Sequence, residues 1–202
     1  MNTSTQTFFC FAPSRQRGFT LVELLVAVAI AAILLAVGVP SFRSTIASNR
    51  LSSTTNELVG TLAQARSEAI RRGVRVTVCM SANGTACATT GNWEQGWISF
   101  VDTTRSGTSA ALDTGEVILS VAQLDPSSTV IKGSTDVAQY VSFSSDGTAR
   151  KMLGTEGGGA LRICEPSSAL TNDNRARNIE VAPVGRLSTT TPAAVASTCP
   201  AP

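Results

Sequence analysis

The sequence predicts an α+β protein in which one long bent N-terminal helix, transmembrane in its first half and amphipathic in its second, packs on a mainly antiparallel β-sheet domain. Three observations carry this reading. From Phe19 to Val39 the lone ionisable side chain is Glu23, and an apolar stretch of that length spans a bilayer as a helix. Beyond Pro40, Leu58, Leu62, Ala65 and Ala69 recur at alternating four- and three-residue spacing, with Ile46, Leu51, Val59 and Ile70 nearby, which makes a helical stripe that needs a surface to pack on. From Val74 the apolar period changes to two and no second helical pattern follows, so the strands have no helical crossovers and pair antiparallel.

The first element is a polar, basic leader ending in Arg15, Gln16 and Arg17. A secretory signal is cut after its apolar core, beside small residues. Here the residues that follow the core, Gly38-Val39-Pro40-Ser41-Phe42, offer no small-x-small pair before a polar start. The junction Gly18-Phe19-Thr20-Leu21-Val22-Glu23, running straight into the apolar stretch, instead resembles the type III signal of type IV prepilins and pseudopilins. The resemblance implies cleavage by prepilin peptidase between Gly18 and Phe19, N-methylation of Phe19, and retention of the helix. Pro40 sits where these families place a helix-bending proline. A carboxylate within a membrane helix costs up to about 2.5–3.5 kcal/mol at the bilayer centre and less near the interface, so Glu23 needs compensation. In pilin-like families that carboxylate pairs with the amino terminus of a neighbouring subunit, which implies an assembly role for Glu23.

The chain then divides into a leader (1–18), a transmembrane and filament-core helix (19–40), an amphipathic helix (41–73), a β-rich domain (74–187) and a Thr/Ala/Pro-rich tail (188–202). Arg15 and Arg17 precede the span without a balancing acid, which keeps the N-terminus cytoplasmic and sends the domain outward, to the periplasm of a two-membrane bacterium. Loss of the leader removes Cys10 and leaves Cys79, Cys87, Cys164 and Cys199, an even set that suits an oxidising compartment. Three connectivities are open. The turn-rich loop Ser81-Ala82-Asn83-Gly84-Thr85 favours Cys79 with Cys87, leaving Cys164 with Cys199. No Cys-x-x-Cys pair and no histidine occur, which argues against a metal site and removes the usual base of Ser-His-Asp and Cys-His nucleophiles. Glu94, Asp102, Asp113, Glu116, Asp125, Asp136 and Asp146 scatter among turn residues as solvated loop charges, so no enzyme and no cofactor is predicted. Charge is uneven along the chain. Arginine-rich zones around residues 43–75 and beyond 150 flank an acidic middle.

Along the chain, the helix stops near Arg71-Arg72-Gly73, where basic residues meet the negative end of the dipole. A half-buried strand follows, with Val74, Val76, Val78 and Met80 on one face and Arg75, Thr77 and Cys79 on the other. Further strands are expected at Trp97–Val101, Val117–Leu124, Tyr140–Phe143, Ala160–Cys164 and Asn178–Val184, separated by turns such as Asp146-Gly147. The tail from Ser188 reads as loosely ordered apart from Cys199.

Cys79 with Cys87, then Gly91-Asn92-Trp93-Glu94-Gln95-Gly96-Trp97-Ile98-Ser99-Phe100, then Phe143-Ser144-Ser145-Asp146-Gly147, resemble the GspH/FimT family. The resemblance implies a pilin-like fold and a minor pilin of type IV pili, or alternatively a minor pseudopilin of type II secretion that supports protein export. Its partners would be prepilin peptidase, the inner membrane and the other pilins of a filament. Trp93 and Trp97 are assigned to the core, and Gly96 to a bulge or close approach. FimT-type members carry a Gly-Arg-x-Arg element implicated in binding DNA; Gly185-Arg186-Leu187-Ser188 matches its first half. With Arg175 and Arg177 upstream, inside the segment that Cys164 and Cys199 would close, Arg186 and Gly185 make a candidate patch for double-stranded DNA. With few aromatics beside it, such a patch would hold the phosphate backbone weakly and with strong salt dependence.

Overall fold

The computed structural model describes residues 18–104, 107–125 and 129–202, so the proposed leader, with Cys10, Arg15 and Arg17, lies outside the described residues except for Gly18. The chain forms two units, 1–40 and 41–202, and one helix, α1 (Leu21–Arg72), starts in the first, passes Pro40 and ends in the second.

In the first unit Thr20 caps α1, its hydroxyl accepting the Glu23 N–H at 3.2 Å. Thr20 and Glu23 thus stand at the first and last positions of a Thr-x-x-Glu capping pattern, where the helix dipole favours a carboxylate. Every Leu, Ile and Val side chain from Leu21 to Val37 is more than half exposed, Leu24 at 60% and Leu34 at 67%. Nothing within this unit covers them.

In the second unit α1 buries one stripe, Ala47, Leu51, Thr54, Thr55, Leu58, Leu62, Ala65 and Ala69. It ends at Gly73, whose φ of 68° and N–H to the Ala69 carbonyl (3.0 Å) form a left-handed C-cap. Eight strands follow: β1 (Val76–Met80), β2 (Gly96–Val101), β3 (Ile118–Gln123), β4 (Val130–Gly133), β5 (Tyr140–Phe143), β6 (Gly159–Cys164), β7 (Ala176–Val181) and β8 (Leu187–Thr190). They make two four-stranded antiparallel sheets, ordered β3-β2-β1-β5 and β4-β6-β7-β8. Both sheets contribute to one core with the helix stripe, in which Leu51, Leu58, Leu62, Val78, Phe143, Leu161 and Ile179 are fully buried or nearly so.

Trp93 and Trp97 sit in that core, and each indole N–H has a partner: Trp97 donates to the Thr61 hydroxyl at 3.1 Å, and Trp93 to the carbonyls of Val137 and Ala138. Gly96 lies at φ 118°, and a Cβ there would come within 2.3 Å of the Ala122 carbonyl oxygen, the close approach its place in the motif suggested.

The structure corrects four expectations. β1 is buried on both faces, because the chain around Ala110 and Met152 covers the side of Cys79, Ile98 and Phe100 with a second apolar cluster. Asp102 is 4% exposed rather than solvated, accepting the Thr77 hydroxyl at 2.6 Å, and Glu94 reaches across to accept the Ile131 N–H of β4 at 3.1 Å. Two strands, β4 and β8, were not anticipated: β4 is short and rests on Glu94, and β8 falls where the Ser/Thr content read as tail. The tail itself is tied down. Cys164–Cys199 and Cys79–Cys87 are both bonded, Val195 is buried beside the former, and Arg162 donates to the carbonyls of Pro200 and Ala201.

Two outcomes follow. Replacing Cys164 and Cys199 by serine should lower stability by about 3–4 kcal/mol in the chain-entropy account, read from denaturant midpoints. Burial raises the Asp102 pKa above the usual 3.8, outweighing the Thr77 hydrogen bond. The folded state therefore keeps this proton to higher pH than the unfolded chain does. Its stabilising contribution is present below pH 3.8 and is lost as pH rises through the folded pKa. The melting temperature of the parent relative to Asp102→Asn should accordingly fall across that window; a relative rise would contradict burial as the controlling cause.

Candidate assembly and nucleic-acid interface

At the start of the described chain, Gly18, Phe19 and Glu23 are all exposed, Phe19 at 82%. Gly18 has open space where a Cβ would stand, so the fold itself does not require glycine there. A demand for glycine at that position has to come from something that reads the junction. Thr20, which the sequence reading did not single out, belongs with these residues, and its Thr-x-x-Glu spacing was the available signal.

The second set of residues lies at the turn between β7 and β8. Gly185 has φ 76°, donates to the Ala182 carbonyl at 2.7 Å, and would place a Cβ 1.9 Å from the Gly147 carbonyl oxygen and 2.8 Å from Arg66 Nε. Arg66 on α1 reaches both turns, donating from Nε to Gly147 O at 2.9 Å and from Nη2 to Val184 O at 3.2 Å. The Asp146-Gly147 turn is closed by Asp146 itself, which accepts the Thr148 N–H at 3.0 Å and hydroxyl at 2.7 Å and the Ser144 hydroxyl. The Ser144 bond first, then the Thr148 bonds, hold its carboxyl well below the usual range. The Phe143–Gly147 motif, the Gly185-Arg186 element and Arg66 therefore form one knot. No sequence signal marked Arg66, because its acceptors are main-chain carbonyls 81 and 118 residues away.

The four DNA candidates do not converge. Arg186 is exposed at the knot and has no ion pair among the described residues. Arg175 is 5% exposed, and its guanidinium donates to Asn172 Oδ1 and to the carbonyls of Glu165, Ser167 and Leu170, the last at 2.6 Å. It organises the 165–175 loop and presents nothing to a phosphate. Arg177 is half-buried, donates to the carbonyls of Asn174 and Ala176, and borders a hollow of about 460 Å³ lined by Ser44, Ser48, Asn49 and Thr171. Arg186 closes the turn opposite Ala182, which follows the end of β7 and is five residues along the chain from Arg177, about 16 Å at the rise of a strand. The disulfide encloses all three arginines in sequence but does not gather them in space. Among the described residues no group of three His, Cys, Asp or Glu could hold a metal.

Two family models match. One, described as type II transport protein GspH, matches residues 54–185, and the prokaryotic N-terminal methylation motif matches residues 13–39. The chain belongs to the GspH family. Two crystal structures of the type IV minor pilin FimU of Pseudomonas aeruginosa are similar to it. One has 19% identity and a TM-score of 0.50 over 70% of this chain and 89% of that one; the other has 18% identity and a TM-score of 0.49 over 69% and 92%. No curated protein sequence matches. The fold is pilin-like, and GspH-family chains are structural pilin and pseudopilin subunits, membrane-anchored through the N-terminal helix and assembled with other pilins after prepilin peptidase processing. The GspH match takes in both tryptophans and the Asp146-Gly147 turn and ends at Gly185, one residue short of Arg186.

Gly185→Ala should cost about 1–3 kcal/mol or more, since it forces a left-handed backbone and a clash with the Gly147 carbonyl. Arg186→Ala should stay within about 0.5 kcal/mol of the parent. Chemical denaturation of the two variants measures the difference, and equal stabilities would refute the structural assignment of Gly185.

Proposed function

We propose that this chain is a minor pilin of the type IV pilus, FimT-like, inserted in the inner membrane with its N-terminus cytoplasmic and its β-domain in the periplasm. Prepilin peptidase cuts between Gly18 and Phe19 and methylates Phe19. The observation that carries this reading is the bare apolar helix behind a methylation motif: its side chains find no cover within their own unit, and a bundle of like helices supplies it. Glu23, at the favourable N-terminal end of α1, pairs with the freed amino terminus of a neighbouring subunit and sets the register of assembly.

Double-stranded DNA contact rests on Arg186, with the Arg66 charge behind it at the same turn and Arg177 too distant to share a phosphate with it. Such a site holds one or two phosphates. The second reading, a GspH-like pseudopilin of type II secretion, is favoured by the description of the matching family and by Ser188 standing where the second arginine of the FimT element would be.

In cells that make prepilin peptidase, Gly18→Trp should keep the leader, while Glu23→Ala should be processed yet be absent from sheared filaments; a Glu23→Ala chain that assembles normally removes the pairing role. Disulfide-intact full chain in detergent should bind duplex DNA with a log–log salt slope near −1 to −2, reduced by about 1 in Arg186→Ala. Absence of binding at low salt would leave an assembly or secretion pseudopilin, with Arg186 as ordinary surface.

A further inference from the structure

The hollow beside Arg177 has no part in the readings above, and its lining is chemically one-sided. Ser44, Ser48 and Asn49 of α1 line it with Thr171 and Asn174 of the loop ahead of β7, and Arg177 is the one charged residue among the lining groups. Asp173, the neighbouring acid in that loop, is turned to the chain end, accepting the Ala194 N–H at 2.9 Å. Donors remain unused here. Arg177 Nη1 donates to the carbonyls of Asn174 and Ala176 at 3.2 and 2.7 Å, which fixes the guanidinium while Nε and Nη2 have no partner among the described residues. Ser44 and Thr45 both donate to the Ser41 carbonyl, but the Ser48 hydroxyl and the Asn49 amide have no partner among the described residues. A fixed guanidinium beside neutral donors, with no carboxylate in the lining, suits a phosphodiester.

Its place along the chain narrows the source of that phosphate. Ser41 opens the second unit directly after Pro40, where the apolar run ends, and at the rise of a helix Ser44 and Asn49 stand about 5 and 12 Å from it. The polar layer of a bilayer is about 5–8 Å deep on each side. On the same stretch of α1, Phe42 is 72% exposed and Ile46 57%, an apolar outer surface that suits the boundary between headgroups and acyl chains. We propose that the hollow binds the headgroup of an anionic, hydroxyl-bearing phospholipid of the phosphatidylglycerol type, with Arg177 on the phosphate and Ser48 and Asn49 on the headgroup hydroxyls. A zwitterionic headgroup fits less well, because nothing in the lining receives an ammonium group. The volume, about 460 Å³, takes one such headgroup. The contact seats the domain on the membrane surface by a second attachment, separate from the anchor. The inference rests on membrane anchoring through α1 and holds for either filament system.

The test is native mass spectrometry of the disulfide-intact full chain in detergent, titrated with phosphatidylglycerol or phosphatidylcholine. The expected result is selective retention of phosphatidylglycerol, weakened about tenfold in Arg177→Gln and similarly in Ser48→Leu, which fills the hollow and leaves the Arg177 bonds in place. Melting temperatures of both variants should match the parent. Arg43→Gln, an equal charge change on the same stretch of α1 but outside the hollow, should keep parental retention. Equal retention of the two lipids, an equal loss in Arg43→Gln, or undiminished binding in Ser48→Leu would overturn the proposal. Displacement of the lipid by millimolar inorganic phosphate or by duplex DNA would also overturn it, by making lipid the wrong source of the phosphate. A parent chain that carbonate extracts from membranes would remove the anchoring reading itself, whereas a chain that resists extraction yet shows no lipid selectivity removes this inference alone.

Discussion

An apolar helix with no cover of its own governs the rest of this molecule. From Leu21 to Val37 the exposed side chains carry enough hydrocarbon that water is not an acceptable neighbour, at about 25 cal/mol for each Å². A bilayer satisfies that demand, and so does a bundle of equivalent helices. Because both solvents suit the same surface, a subunit can move from one to the other without unfolding. Under the filament proposal, Glu23 would give that exchange its direction, since a carboxylate is poorly accommodated by lipid and well accommodated beside an amino group.

The same helix also has to found a folded domain, and it does so by changing its sequence pattern instead of its secondary structure. After Pro40 the apolar positions contract to one stripe that both sheets cover, and the helix stops on Gly73. Beyond the shared core, polar contacts tie the two sheets together. Glu94 ties β4 to the turn ahead of β2, and Arg66 ties the turn after β7 to the turn after β5. At the opposite end of β7 the Arg175 loop and the Cys164–Cys199 bridge hold the chain end. The arginine candidates lie on these fastenings, so Gly185 and Arg175 are conformational devices first, and Arg186 is what the turn at Gly185 holds in place.

Much of this was legible in the sequence. The helix end at Arg72, both disulfides, six of the strands and the burial of the tryptophans follow from local pattern: period, turn residues, cysteine parity and the aromatic motif. What escaped depends on contacts between distant segments. Asp102 and Glu94 read as loop charges because their neighbours in sequence are turn formers, yet their partners are Thr77 and the Ile131 amide. β8 was read as tail because serine and threonine suit both a loop and an edge strand, and pairing to β7 decides the matter. The arginine patch failed for a related reason. Proximity along the chain, even inside a disulfide loop, does not fix which end of a strand each residue occupies, and Arg175 turned inward to satisfy carbonyls.

The central claim is that the helix is kept and the residues before it are removed. Intact-mass analysis of the chain from sheared filaments, beside the chain from cells lacking prepilin peptidase, tests this directly. The account predicts a mature species beginning at Phe19, heavier by one N-terminal methyl group and lighter by the hydrogens of two disulfides, and a full-length species in the peptidase-free cells. A species beginning beyond Val39, cut after the apolar run, or one that keeps residues 1–18 where the peptidase is present, would contradict it.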